Sequence, residues 1–151
     1  MKSLSSSTKT VFSFFQPAYH YSFALFGAII YRFPSKEIKI VAVTGTKGKT
    51  STAELVNAIL EEAGKKTALA GTLRFKVADE SKPNLYKMTM PGRFFIQKFL
   101  REAVNVKCEY AVLEISSEVA KQFRHKFIDL NALIFTNLAP EHIESHGSYE
   151  K

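Results

Sequence analysis

Read for apolar spacing, the chain alternates between short buried runs and longer stretches with helical periodicity. Ile38 to Thr44 carries Ile38, Ile40, Val41 and Val43 almost without interruption, the pattern of a strand covered on both faces of a parallel sheet. Thr50 to Ala63 follows with apolar residues at Leu55, Val56, Ile59, Leu60 and Ala63, a helical stripe read as core packing, and Gly64 supplies the stop. Thr67 to Ala70 predicts a short strand. Leu73 to Val77 and Leu85 to Met88 predict the arms of a hairpin around the polar stretch Asp79 to Asn84, and Pro91-Gly92 closes that region. Phe95, Ile96, Phe99, Leu100, Ala103 and Val104 then form the apolar face of a second helix. Tyr110 to Ile115 and Ala132 to Phe135 are further buried strands. Strands alternating with helices predict an α/β fold with a mostly parallel sheet, whose ligand site lies beyond the carboxyl ends of the strands.

The N-terminal segment has a different character. Ser3 to Thr8 is a polar tip, and Thr10 to Tyr31 holds 22 residues without a formal charge. Pro17 is placed to start a helix and Pro34 to stop it, so Ala18 to Phe33 falls short of the about 20 strongly apolar residues that a membrane span needs. The expectation is a helix packed on the domain or lying on a membrane surface through residues 10–33, with no secretory leader. Residues 1–36 are therefore set apart from a globular region over residues 37–151.

The chain has 151 residues, 46% of them hydrophobic, enough for one core. Its single cysteine, Cys108, excludes an intrachain disulfide framework and a cysteine metal site, consistent with a reducing, cytoplasmic setting. The net charge of +7 is concentrated in the first half, where ten Lys and Arg face four acids, against eleven and ten in the second. A basic bias suits nucleic acid, anionic lipid or a polyanionic small molecule. No aromatic-basic RNA-binding signature accompanies it, so nucleic acid is not expected.

The segment that chooses among these is Ile40 to Leu55, where an apolar strand breaks into a glycine loop and then a helix. Gly45 and Gly48 permit a tight turn with inward N–H groups, flanked by Thr46. The helix start adds the positive end of its dipole, Lys49 reaches terminal phosphates, and Thr50 can ligate magnesium, with Ser51 beside it. The loop departs from the general GxxxxGK pattern, since Val43 stands at the first glycine. A plain glycine turn would explain the glycines, yet it does not call for Gly-Lys-Thr at a helix start. By the strand-end rule this loop, the Glu114-Ile115-Ser116-Ser117 end of the second long strand, and the segment from Thr136 to Gly147 ring one crevice. Glu114 is the candidate metal ligand there, a solvated strand terminus being the blander alternative.

These residues resemble the ATP-dependent Mur ligases of peptidoglycan synthesis, the tripeptide-synthetase branch in particular. VTGTKGKTST is similar to that family's nucleotide loop, LEISSEVAKQFRH to its strand-end acid with a following Gln-x-Arg, and FTNLAPEHIESHGSYE to its segment ending in His-Gly. The resemblance covers about Lys39 to Lys151. It implies that the chain holds the N-terminal part of a truncated central, ATP-binding domain. It further implies catalytic roles for Lys49, Glu114 and His142, magnesium at Thr50, Glu114 and His142, and ATP contacts from Gly45, Thr46, Gly48, Lys49, Thr50, Ser51 and Asn137. Thr89, Met90 and Pro91, with Ser117, Gln122 and Arg124, fall where the family grips its UDP-N-acetylmuramyl-peptide substrate. The implied reaction activates a peptide carboxylate with the γ-phosphate of ATP, after which an amino acid attacks to form an amide.

Departures accompany the matches. Lys47, Glu118 and Glu141 stand where the family commonly carries other residues, which leaves the exact substrate open. The expectation is that the aromatic segment before Pro34 stands in place of the family's usual UDP-binding domain. The family's bridging lysine and C-terminal domain would lie past Lys151, so the expectation is a fragment inactive alone and completed by a C-terminal domain in cis or in trans. Two other readings are an ATP- and magnesium-binding module without catalysis and a membrane-associated scaffold. Another kind of phosphate-loop NTPase ranks below both, because the strand-end acid is Glu114 followed by Ser-Ser.

Overall fold

A computed structural model of the chain describes residues 19–86, 88–117, 119 and 124–138. Its centre is a six-stranded sheet built from β1 (Lys39–Thr44), β2 (Thr67–Ala70), β3 (Arg74–Val77), β4 (Glu80–Pro83), β5 (Tyr110–Glu114) and β6 (Ala132–Phe135), in the order β4-β3-β2-β5-β1-β6. β2, β5, β1 and β6 run parallel, with Lys39 opposite Tyr110 and Val41 opposite Ala132, while β3 and β4 are antiparallel. The carboxyl ends of four strands therefore share one edge.

The continuous apolar runs of the central strands are explained by what covers each face. Ile40, Ala42, Ala68, Ala70, Ala111 and Leu113 point to one side, where α3 (Arg93–Asn105) contributes Ile96, Phe99, Leu100 and Ala103. Val43, Leu69 and Val112 point to the other, against Ala53 of α2 (Lys49–Glu62), with Val56 and Leu60 beside them. The two-residue pleat sends neighbours to opposite layers, so a strand buried on both faces needs apolar side chains throughout. Cys108 is buried next to this sheet, its thiol donating to the Thr67 carbonyl at 3.3 Å, and burial pushes its pKa up.

Four expectations need correction. The apolar run of β6 predicts a buried strand, but Ala132, Leu133 and Phe135 are exposed and Ile134 is half-buried, because β6 lies at the end of the sheet beside β1. The second arm of the hairpin is Glu80–Pro83, not Leu85 to Met88: Val77 pairs with Glu80 across a tight turn in which Ala78 takes φ 52°. β4 is an edge strand exposed along its length, held by backbone pairing to β3 with Arg74 donating to Ser81 Oγ at 3.3 Å, and charged residues suit an edge that must not recruit another chain. Beyond it the Asn84 side chain ties the loop, donating to the carbonyls of Gly71 and Met88 at 2.8 Å each and accepting from Tyr86 N at 2.9 Å.

The helical stripe on α2 is only partly core. Ala53 and Asn57 are buried, whereas Leu55 and Ile59 are 63% and 66% exposed. At roughly 100° per residue, Leu55 and Ile59 turn well away from the Ala53–Asn57 line that meets the sheet.

Residues 19–30 form α1, which ends short of Pro34. Arg32 and Phe33 adopt φ 57° and 48°, and Pro34–Lys36 is a single 3-10 turn. Arg101 of α3 closes the end of α1, donating to the carbonyls of Tyr31 at 2.9 Å and Arg32 at 3.1 Å and pairing with Glu37 at 2.7 Å. Orphan carbonyls at a helix end take such a cation well. Among the described residues no helix is long and apolar enough to cross a membrane.

Leu100→Ala, at a site with 0% exposure, is expected to cost about 2–5 kcal/mol in urea unfolding. Ile59→Ala should stay within about 0.5 kcal/mol. Comparable losses in the two variants would contradict this division of α2 and α3.

Candidate functional site

The loop between β1 and α2 is shaped by two glycines with different reasons to be glycine. Gly45 has φ 134°, and a Cβ there would lie 2.2 Å from Thr136 Oγ1 and 2.9 Å from the Asn137 carbonyl oxygen. Gly48 caps α2 in the left-handed region at φ 77°, with open space around it, so conformation rather than room demands glycine. Gly48 offers α2 no side-chain cap and the first turn has no acid, which leaves the helix N-terminus facing the loop as a ready anion site. Lys49 curls back so that its ammonium donates to the carbonyls of Gly45 at 2.8 Å and Thr46 at 2.7 Å. Ser51, one position past Thr50, is exposed.

Behind the loop stands the end of β6. Thr46 N donates to the Asn137 carbonyl at 3.0 Å. The Asn137 side chain accepts from Lys47 N at 2.9 Å and donates to Lys47 O at 3.0 Å, while Thr136 Oγ1 donates to the same carbonyl at 2.7 Å. Asn137, expected at the nucleotide, clamps the backbone of the loop. The main chain of Lys47 is gripped at both its N–H and its carbonyl.

Glu114 ends β5 and is only 2% exposed. Its carboxylate accepts from Thr50 Oγ1 at 3.0 Å, from Thr72 Oγ1 at 3.0 Å and from Thr72 N at 2.8 Å. Glu114 is accordingly no solvated strand end. Thr72 is a site residue that sequence reasoning missed; the strand-end rule applied to β2 would have pointed to it. A carboxylate and a hydroxyl at one point suit a hard cation such as magnesium, bound directly or through water. The described residues gather no group of three His, Cys, Asp or Glu, and the remaining candidates His142 and Gln122 lie outside the described residues.

A second grouping surrounds the segment before α3. Met90 is 1% exposed, Thr89 and Pro91 are half-buried, and an Arg124 guanidinium nitrogen donates to the Met90 carbonyl. Ser117 lies exposed three residues beyond β5, on the carboxyl side of the sheet. The structure thus joins Arg124 to the 89–91 loop, and Thr50 to Glu114, as two separate sets.

A parallel sheet with a glycine loop at the start of a helix, backed by a strand-end carboxylate on the helix's first threonine, defines an α/β domain of the phosphate-loop type. Residues 43–151 match the Mur ligase middle domain, and the chain belongs to that family. A UDP-N-acetylmuramoyl-L-alanyl-D-glutamate--2,6-diaminopimelate ligase of Syntrophomonas wolfei is 42% identical over 84% of this chain and 26% of its own length. A UDP-N-acetylmuramyl-tripeptide synthetase of Treponema pallidum is 32% identical over 82% of the chain and 23% of its own length. A solved diaminopimelate ligase structure superposes with TM-score 0.63 at 29% identity, covering 75% of this chain and 22% of that one. The chain therefore spans about a quarter of the length of the relatives it matches.

Asn137→Ala removes both side-chain bonds to Lys47. Amide exchange at Thr46 and Lys47 is expected to quicken by roughly tenfold, as for a loss of about 1.4 kcal/mol of local protection. Unchanged exchange at both amides would show that the clamp does not hold the loop.

Proposed function

We propose that residues 37–151 are the opening part of the ATP-binding domain of a cytoplasmic Mur-type ligase, which joins an amino acid to a UDP-N-acetylmuramyl-peptide in cell-wall synthesis. The observation that carries this reading is the bond between Thr50 and the buried Glu114 at the mouth of the Lys49 loop. In this reading Gly45 to Gly48 and the α2 N-terminus hold the phosphates, and Lys49 leaves its two loop carbonyls to meet the terminal phosphate. Thr50 and Glu114 hold magnesium, together with His142. Bound MgATP supplies the phosphoryl group that activates the acceptor carboxylate. Thr89, Met90, Pro91, Ser117, Gln122 and Arg124 hold the acceptor, and Arg124 offers the forked donor geometry suited to phosphate or carboxylate. Ligation also calls on a further domain that brings the amino acid, in cis or in trans.

Calorimetry of the chain with MgATP tests the nucleotide part. Lys49→Ala should weaken binding by roughly tenfold or more, and Glu114→Gln should remove most of the difference between binding with and without magnesium. MgATP binding that is the same in both variants and the parent chain would refute the assignment.

The outward face of α1 favours an additional contact with a membrane surface. Ala24 and Ala28 are buried with Gly27 between them, whereas Tyr19, Phe26, Ile29 and Ile30 are about half exposed. A helix with its small residues inward and bulky apolar ones outward resembles one whose outer side meets lipid. In flotation with anionic vesicles the parent chain should rise with the lipid and Phe26→Ser/Ile30→Ser should remain below. Parent protein that stays with the soluble fraction would remove this contact.

A further inference from the structure

Thr72 gives both of its donors to one carboxylate. Its main-chain N–H donates to Glu114 Oε2 at 2.8 Å and its hydroxyl to Glu114 Oε1 at 3.0 Å, the oxygen that also accepts from Thr50 Oγ1 at 3.0 Å. Held at both oxygens, the carboxylate has its plane fixed, with Oε1 turned to the first turn of α2. A glutamate side chain ordered only by an arriving ligand gives up rotamer freedom at that moment. Glu114 is ordered beforehand.

The short connection from β2 to β3 that carries Thr72 is itself tied down. Gly71 N donates to the Arg74 carbonyl at 3.1 Å, Asn84 N to the Leu73 carbonyl at 2.9 Å, and the buried Asn84 side chain to the Gly71 carbonyl at 2.8 Å. Arg74, at the start of β3, forks onto Glu54 of α2, its Nε 3.0 Å from Oε1 and its Nη2 2.6 Å from Oε2. Glu54 lies one helical turn beyond Thr50 on the same helix. This bidentate pair therefore fixes the Thr72 connection relative to Thr50 as well as to Glu114. Connecting loops are commonly the mobile parts of a fold, whereas this one is held as firmly as the strands it joins.

We propose that Thr72 is the positioning residue for Glu114 in magnesium binding: its N–H and hydroxyl set the carboxylate so that Oε1 and the Thr50 hydroxyl are presented together. This role rests on the reading of Thr50 and Glu114 as holders of magnesium. Magnesium demands near-ideal octahedral oxygen geometry, so a carboxylate free to rotate binds it less well than one already set. Thr72 acts through Glu114 and not by touching the cation.

The test is calorimetry of the full chain with ATP in the presence and absence of magnesium, the ratio of the two affinities being the readout. Thr72→Val keeps the shape and the N–H but removes the hydroxyl, and it should lower that ratio by roughly tenfold, the scale of one hydrogen bond to a charged group. Thr72→Ser should restore most of it. In a Glu114→Gln background Thr72→Val should change the ratio no further, because the residue works through the carboxylate. Melting curves accompany each variant, and Thr72→Cys, with its weak thiol donor, takes the place of Thr72→Val if that chain does not fold. A ratio in Thr72→Val equal to the parent's overturns the positioning role. An equal drop in both backgrounds, or a drop that Thr72→Ser does not restore, makes Thr72 structural and overturns it too. A parent ratio that Glu114→Gln leaves unchanged refutes the magnesium reading of Glu114, and the role of Thr72 falls with it. An effect of Glu114→Gln without one of Thr72→Val keeps that reading and overturns the positioning role alone.

Discussion

The Glu114 carboxylate, 2% exposed and bonded to Thr50 and Thr72, is the interaction on which the site depends. A charge removed from water must be met by donors, or its desolvation cost falls on the fold. Here the donors come from the first turn of α2 and from the segment leaving β2, while the acid itself ends β5. Three connections that are remote in sequence are therefore held to one point. The parallel arrangement makes this possible, because it brings all three strand ends to the same edge of the sheet.

The phosphate loop is held from the opposite side as well. Gly45 leaves no room for a side chain against Thr136 and Asn137, and Asn137 satisfies both polar groups of the Lys47 main chain. β6 is the outermost parallel strand, yet its exit does the work of shaping the loop. The Lys49 ammonium rests on two carbonyls of the same loop, bonds that an incoming phosphate can replace without moving the backbone.

The α1–α3 side of the molecule is tied together by contacts between residues far apart in the chain. Arg101 caps the end of α1 and small residues seat that helix closely on α3, both of which stabilise the fold.

Much of this was legible in the sequence for local reasons. The strands β1, β5 and β6 and the helices α2 and α3 declare themselves by spacing, since period and chirality are properties of consecutive residues. Gly-Lys-Thr at a helix start and an acid at the end of a buried strand identified Lys49, Thr50 and Glu114 without coordinates. What local pattern did not decide was anything that depends on a distant neighbour. β4 forms from Glu80–Pro83 because β3 lies beside it, Leu55 and Ile59 stay exposed because the sheet reaches only part of α2, and Asn137 serves as a clamp because Lys47, 90 residues away, lies against it. Thr72 carries no motif of its own, and only the tertiary structure sets it on Glu114. The sequence by itself determined the elements and the chemistry of the loop; the tertiary structure alone decided which surfaces are buried and which polar groups meet, because those depend on contacts between residues far apart in the chain.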